Sequence, residues 1–119
     1  MPDAANLTQK LTLFTERWSP KIVAEYNGNE IMVAKLAGAY HWHKHDDTDD
    51  FFYVLSGHLV LETENGNVEM GPGDLYVVPR GVMHRPVVAE GEEAHILLIE
   101  PAGEPNSGDP ATAAKKVWI

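Results

Sequence analysis

Hydrophobic and polar residues alternate along most of this chain in short runs that end at turn residues. Residues 21–26 and 30–37 are two such runs, and Asn27-Gly28 between them is typical of a tight hairpin turn. Further strand-like runs cover residues 40–45, 51–55, 58–63, 67–70, 75–78, 83–89 and 94–100. About nine short strands at close spacing predict an all-β fold, either a sandwich or a barrel.

The two ends of the chain break this pattern. Residues 6–14 carry Leu7, Leu11 and Phe14 at helical spacing, which predicts a short helix or an irregular arm. Residues 101–110 contain three prolines and two glycines and are expected to lack regular structure, whereas the apolar tail at 117–119 is expected to dock. A chain of 119 residues has room for one hydrophobic core, so we expect a single domain over residues 1–119.

Composition and charge exclude several classes of function. Hydrophobic residues form 44% of the chain and charged residues 23%, which is typical of a globular protein. A formal charge of -9 without a basic cluster argues against a nucleic-acid partner. The chain has no cysteine, which excludes disulfides, zinc–thiolate sites and cysteine nucleophiles. The start of the chain lacks the pattern of a signal peptide and no apolar run would span a membrane, so a cytoplasmic protein without a membrane partner is expected.

Half of the six histidines lie within five positions, at His41, His43 and His45. In a strand, alternate side chains point the same way and lie about 7 Å apart, so these imidazoles are expected to share one face. Four carboxylates follow at once: Asp46, Asp47, Asp49 and Asp50. Imidazoles and carboxylates are the ligands that divalent metals use, although a solvated polar strand end would show the same composition.

The order of residues from His43 onward contains two recognisable spacings. The first is His43-x-His45, four residues, Asp50, six residues and Gly57; the second is Gly73, five residues, Pro79, one residue, Gly81, two residues and His84. These resemble the two sequence motifs of the cupin superfamily, and residues 40–101 carry the resemblance. It implies a double-stranded β-helix, the cupin-type jelly-roll barrel. It also implies one divalent ion (Fe, Mn, Ni, Co or Zn) held by His43, His45, Asp50 and His84.

Three positions depart from the family pattern. Asp50 stands where the family usually has glutamate, and its shorter side chain could leave a site of three histidines and water. Gly38 is one residue closer to His43 than usual, and Val88 replaces an asparagine that is not a ligand. Because His41 and His43 as the motif pair would leave no carboxylate and no glycine at the right distance, we reject that register.

Other residues are candidates for work inside the pocket. His41 and His95 are candidate catalytic residues that would exchange protons with a substrate, although each could equally be a buried structural histidine. Leu59, Leu61, Val77 and Leu97 are candidates for aliphatic pocket walls. The three serines do not lie in a Gly-x-Ser-x-Gly elbow, and no phosphate-binding glycine loop is present, so hydrolase and nucleotide chemistry are not expected.

Three functions remain open. The first is a metal-dependent enzyme acting on a small oxygenated molecule, with a dioxygenase-like oxidoreductase favoured over an isomerase or lyase for a sugar or keto acid. The second is a non-enzymatic module that binds or senses a small ligand. The third, least favoured because all ligand positions are filled, is a metal-free sugar-modifying cupin. A homodimer is also expected, because residues 51–55 are apolar on both strand faces and the tail at 117–119 is apolar.

Overall fold

The computed structural model describes residues 2–119. Within them the chain forms one short helix, α1 (Leu7–Leu11), and nine strands. The strands are β1 (Lys21–Tyr26), β2 (Asn29–Leu36), β3 (Asp50–Ser56), β4 (Leu59–Thr63), β5 (Gly66–Met70), β6 (Leu75–Val78), β7 (His84–Val87), β8 (Ala94–Pro101) and β9 (Val117–Trp118). The architecture is the all-β jelly roll that the alternating pattern and the motifs predicted.

Two sheets face each other across one hydrophobic core. The larger sheet has the order β6-β3-β8-β2-β1-β9 and the smaller has the order β5-β4-β7. Side chains of both sheets meet in a single buried cluster, with Phe52 and Ile96 from the larger sheet and Leu61 from the smaller. Because side chains alternate along a strand, the neighbours of these residues point away from the core. A polar side chain that points into the interior between the sheets is therefore buried and needs a hydrogen-bond or ionic partner there.

The first hairpin forms as its sequence predicts. Asn27 and Gly28 both adopt positive φ, at 49° and 78°, which is the conformation of a two-residue turn that matches strand twist. β2 then pairs with β8 along its full length, from Asn29 opposite Pro101 to Leu36 opposite Ala94. This long antiparallel pair forms the centre of the larger sheet.

The histidine-rich segment differs from its prediction. Residues 40–45 do not form a continuous strand, and His43 touches the smaller sheet only at an isolated bridge to His84. The segment crosses from β2 of the larger sheet to β7 of the smaller sheet, where it forms isolated bridges between Ala39 and Val87 and between His43 and His84, and then enters β3. His41, Trp42 and Lys44 are exposed along it, while His43 and His45 are buried. The crossing segment therefore keeps β7 as its neighbour but pairs with it only at separate points.

The end of the chain is more ordered than its composition suggests. Val117–Trp118 pairs in parallel with β1, and the amide of Ile119 donates to the carbonyl of Ile22 at 3.0 Å. The predicted docking of the tail therefore takes the form of a short edge strand. Helix α1 spans only five residues, and no helix in residues 2–119 has the length and apolar character to cross a membrane.

Candidate metal centre

Four potential metal ligands converge in the interior at the places where strands begin. His43 and His45 lie on the crossing segment, Asp50 is the first residue of β3, and His84 is the first residue of β7. Their exposed fractions are 8%, 3%, 4% and 1% in that order. One nitrogen or oxygen atom from each lies within 4.8 Å of the corresponding atoms of the other three. The structure thus brings together all four residues that the motif spacing selected.

Backbone hydrogen bonds hold the histidines at this point. The amides of His43 and His84 each donate to the carbonyl of the other, at 3.0 and 2.8 Å. The amide of Gly81 donates to the carbonyl of His45 at 2.8 Å, in a turn where Gly81 has a φ of 80°. Glycine adopts this conformation without steric cost, which explains its place in the second motif. The turn before β7 and the crossing segment are therefore fixed to each other.

Each imidazole is oriented through its Nδ1 atom. His43 donates Nδ1–H to the carbonyl of His41 at 3.0 Å, and His84 donates to the carbonyl of Val82 at 2.9 Å. His45 donates to the carboxylate of Glu104 at 3.0 Å. With Nδ1 engaged in this way, Nε2 is left as the ligand atom on every ring. Metal-binding histidines are commonly held by such a partner, which sets both the tautomer and the ring orientation.

The Nε2 atoms and Asp50 form an arrangement that fits a cation. Asp50 Oδ2 lies 2.7 Å from Nε2 of His84 and 3.3 Å from Nε2 of His45. The second contact is outside hydrogen-bonding geometry, so His45 Nε2 is a buried nitrogen without a partner among the described residues. Buried polar atoms are rarely left unpaired, because the lost hydration costs about 1–3 kcal/mol. A divalent ion among these four side chains would satisfy that atom, and the residues present therefore fit a metal.

The electrostatics of the cluster favour a positive charge at its centre. Burial lowers the pKa of His43 to about 4, so this imidazole is neutral at physiological pH, as a metal ligand must be. Burial also acts to lower the pKa of His45, but the carboxylates of Asp50 and Glu104 outweigh it and raise the pKa to about 9. Burial acts to raise the pKa of Asp50, and its contacts with His45 and His84 nevertheless lower it. The negative surroundings that hold a proton on His45 would equally attract a metal cation.

Glu104 belongs to this site although no sequence pattern pointed to it. Its carboxylate is 16% exposed and reaches His45 from the irregular segment that follows β8. The two residues are 59 positions apart in the chain. A lone glutamate in a segment rich in proline and glycine carries no periodic signal, so only the path of the folded chain brings it to His45.

A small cavity lies beside the ligands. Its volume is about 40 Å³, and His43 and Asp50 form part of its wall. Its other described lining residues include the aromatic Trp18, Tyr40 and Phe52, and the aliphatic Leu36, Ile96 and Leu98. Ile96 and Leu98 line it in place of the predicted Leu97, because alternation along β8 directs Leu97 to the outer face. Val77 also points outward and is 39% exposed, whereas Leu59 and Leu61 lie in the core.

The two candidate catalytic histidines lie away from this cavity. His95 is on the outer face of β8, where its Nε2 atom is 2.6 Å from the carboxylate of Glu93. His41 is exposed on the crossing segment, with its ring centroid 5.5 Å from that of His43. Neither belongs to the wall of this cavity, although the His41 ring lies beside the ring of His43 on its exposed side. The carbonyl of His41, rather than its ring, contributes to the site by holding His43.

Comparison with known proteins supports this architecture. The family profile described as Cupin domain matches residues 30–100. A crystal structure of a cupin-2 domain containing protein from Shewanella frigidimarina is 38% identical with a TM-score of 0.78, and the match covers 82% of this chain and 93% of that one. Protein NMB1881 from Neisseria meningitidis is 30% identical with a TM-score of 0.73, covering 84% and 100%. The uncharacterized protein YdbB of Bacillus subtilis is 28% identical over 87 residues, 66% of this chain and 77% of YdbB.

Two more distant structures are named for an activity. The polyketide cyclase RemF from Streptomyces resistomycificus is 25% identical with a TM-score of 0.56, and the match covers 61% of this chain and 54% of RemF. The hydroquinone 1,2-dioxygenase PnpCD, solved with Cd²⁺, is 14% identical with a TM-score of 0.69, covering 90% and 73%, and at that identity it shows only the shared fold. The profile match over most of the strands, together with the jelly-roll fold and the convergence of both motifs, leads to one conclusion: this chain belongs to the cupin family.

Proposed function

We propose that this cupin is a metal-dependent enzyme that acts on a small oxygenated organic molecule, with an oxidoreductase of the dioxygenase kind favoured. The observation that carries the proposal is the buried set of three imidazoles and one carboxylate, in which Nε2 of His45 has no hydrogen-bond partner among residues 2–119. Such a set suits Fe(II), Mn(II), Ni(II), Co(II) or Zn(II) and would leave positions open for a substrate or for O₂. When bound, the metal would supply Lewis acidity or redox chemistry.

The residues of the chain support this role in distinct ways. His43, His45, Asp50 and His84 would hold the ion, and Glu104 orients His45 through its hydrogen bond. The largely apolar wall of the adjacent cavity would limit the access of water to a reactive centre. Since the sequence has no cysteine and no serine elbow, these residues are the strongest candidates for chemistry in the chain.

Non-redox chemistry is the second candidate. RemF, at 25% identity, is named as a polyketide cyclase, and cyclisation needs a polarised carbonyl rather than O₂. The same four ligands would support isomerase or lyase activity on a sugar or keto acid. A ligand-binding sensor would use the same site without turnover.

Metal analysis of the chain, purified without an affinity tag or chelator, tests the site. We expect about one divalent ion per chain, and we expect His43→Ala and His84→Ala each to remove most of it, because rigid backbone anchors prevent other side chains from substituting. His58→Ala, which removes an exposed histidine elsewhere, serves as the matched control. Full occupancy in the His43→Ala/His84→Ala double variant would contradict the assignment.

Reconstitution separates the candidate functions. The apo chain is loaded with Fe(II), Mn(II), Ni(II), Co(II) or Zn(II) in turn and screened against small diols, hydroxy acids and keto acids, with O₂ uptake and product formation measured separately. Product with O₂ uptake supports the dioxygenase, and product without it supports isomerase or lyase chemistry. Binding without turnover under every metal supports the sensor, and turnover after complete metal removal contradicts a metal-dependent mechanism.

A further inference from the structure

The cavity beside the metal ligands carries a second buried carboxylate, Glu100. This residue lies near the end of β8, is 3% exposed, and lines the cavity together with His43 and Asp50. Burial, and then the charge of Asp50, raise its pKa to about 7, against the opposing effect of Lys116. At slightly alkaline pH, Glu100 therefore adds a negative charge to the wall of the cavity.

The positive charge of Lys116, next to Glu100, is already paired with carboxylates. The ammonium of Lys116 lies 3.1 Å from a carboxylate oxygen of Glu100 and 3.3 Å from one of Glu30, so two carboxylates share it. The described residues that line the cavity include neither lysine nor arginine. A carboxylate or phosphate ligand would therefore find no free cationic side chain there.

The positive charge of a bound metal ion would also be balanced by carboxylates. A divalent ion carries two positive charges, and Asp50 and ionised Glu100 together carry two negative charges at the same cavity. Glu104, on the far nitrogen of His45, adds a further carboxylate. Bringing an anion into this buried and already balanced site would leave it unpaired, and an unpaired buried charge is strongly disfavoured.

The remaining walls suit a small ligand with hydroxyl groups. A volume of about 40 Å³ compares with the roughly 10–15 Å³ needed for one water, so the cavity holds only a few non-hydrogen atoms. Stacked rings of Trp18 and Tyr40, with centroids 4.7 Å apart, provide an apolar surface. The amide of Asn106 donates to the Tyr40 hydroxyl at 3.3 Å. Glu100 lines the same cavity, and its carboxylate can accept a hydrogen bond from a ligand hydroxyl.

We infer that the site selects a small uncharged ligand with a hydroxyl group, that Glu100 accepts the hydrogen bond of this hydroxyl, and that carboxylate ligands are rejected. This inference rests on the proposed metal-dependent function and narrows its substrate class to neutral diols, hydroxyketones and hydroxyamides. Hydroxy acids and keto acids are excluded by the same charges. Glu100 is thus a specificity-determining residue rather than a metal ligand.

Three probes that share one three-carbon skeleton test the inference: lactate, lactamide and propane-1,2-diol. Their affinities for the Co(II)-loaded chain are measured by calorimetry at pH 8 under nitrogen. We expect lactamide and the diol to bind more tightly than lactate. In Glu100→Gln, which keeps the shape but removes the charge, we expect the affinity for lactate relative to lactamide to rise by about tenfold or more, corresponding to about 1.4 kcal/mol.

Glu90→Gln is the matched control, because it removes one negative charge from an exposed turn and should leave the ratio of affinities unchanged. Circular dichroism and Co(II) content establish that the Glu100→Gln chain is folded and loaded. Two results with the Co(II)-loaded chain would overturn the inference while the metal site stands. In the first, the chain prefers lactate and Glu100→Gln leaves the ratio of lactate to lactamide affinity unaltered. In the second, the chain binds none of the probes. Failure to take up Co(II), seen before any probe is added, overturns the proposed function and this inference together.

Discussion

At the scale of single residues, the proposed metal centre depends on which side-chain atoms already have a hydrogen-bond partner and which remain available to a metal ion. Asp50 and His84 share a 2.7 Å contact, and each histidine has its Nδ1 atom engaged. Asp50 is one carbon shorter than the glutamate usual at this motif position, yet it reaches both His45 and His84. Because β3 begins at Asp50, its side chain enters the interior directly and the shorter length is sufficient.

Substitution of Asp50 tests whether it is a ligand. We expect Asp50→Asn to lower metal affinity by more than the roughly 10- to 100-fold that loss of an outer hydrogen-bond partner produces, because the anionic ligand is removed. Asp46→Asn is the control, since Asp46 is exposed and contacts Lys44 instead. Metal affinity is measured by competition with a chelator. Equal, small effects of both substitutions would indicate a three-histidine site with a solvated acidic loop.

Glu104 is expected to act as a positioning residue for His45. Glu104→Ala should weaken metal binding about 10- to 100-fold, because the imidazole loses the acceptor that sets its orientation. Glu104→Gln keeps an oxygen that can accept Nδ1–H and should restore most of the affinity. The absorption spectrum of the Co(II)-loaded chain reports ligand geometry and should change in Glu104→Ala but not in Glu104→Gln. Unchanged spectra and affinities in both variants would show that the contact has no role in metal binding.

At the scale of elements, the turns decide which strands can meet. Gly57 follows β3 with a φ of 78°, and a Cβ atom there would lie 2.5 Å from the carbonyl oxygen of Glu93 and 2.9 Å from Cα of Ala94. This close approach lets β3 enter its pairing with the start of β8. Gly57 is therefore needed both for its backbone conformation and for its missing side chain.

A pair of glycine substitutions separates these two requirements. Gly28 has the same φ of 78° but open space around it, so Gly28→Ala should cost only the conformational strain of about 1–2 kcal/mol in the free energy of unfolding. Gly57→Ala should cost that amount plus about 1–3 kcal/mol, since the backbone of Glu93 and Ala94 must shift. Urea denaturation of the apo chain measures both. Equal losses would mean that the packing at Gly57 relaxes without cost.

At the scale of the whole molecule, the outer face of the larger sheet carries an apolar patch on β6, β3 and β8. In the pairing register, Tyr53 lies between Leu75 of β6 and Leu97 of β8, and Phe51 lies opposite Val77. Leu75 is 53% exposed. The formal charge of -9 makes two copies repel over most of their surfaces, so this uncharged patch is the favourable place for contact. We propose that two copies of the chain form a homodimer through this face.

Charge placed on this face should dissociate the dimer. We expect Leu75→Lys/Val77→Lys to convert the dimer into a monomer at micromolar concentration, because each side chain would bury an unpaired ammonium in the contact. Leu13→Lys, at a residue that is 60% exposed outside the sheets, is the control. Light scattering after gel filtration measures the mass. A wild-type monomer would contradict the proposal, as would a dimer that survives the double substitution but is lost on deletion of residues 117–119.

The sequence alone predicted most of the strands, the turns and the four candidate ligands. Alternation fixes which faces of β3 and β8 are buried, and turn residues such as Asn27 and Gly28 act through local backbone preferences that need no tertiary context. The resemblance of two motif spacings to those of cupins selected His43, His45, Asp50 and His84, which the fold brings together. Strands and turns depend on neighbours a few positions apart, and a pattern of residue types records such neighbours directly.

Tertiary structure alone decided what surrounds the ligands. Glu104 reaches His45 across 59 positions, and Lys116 reaches Glu100 from the tail, through segments without periodic pattern. The crossing segment leaves His41 in solvent, and the alternation of β8 places His95 on the outer face. Both are histidines that could exchange protons with a substrate, but neither side chain lines the cavity. Side-chain chemistry states what a residue can do, but which groups meet depends on the path of the whole chain, and contacts between distant residues leave no local trace in the sequence.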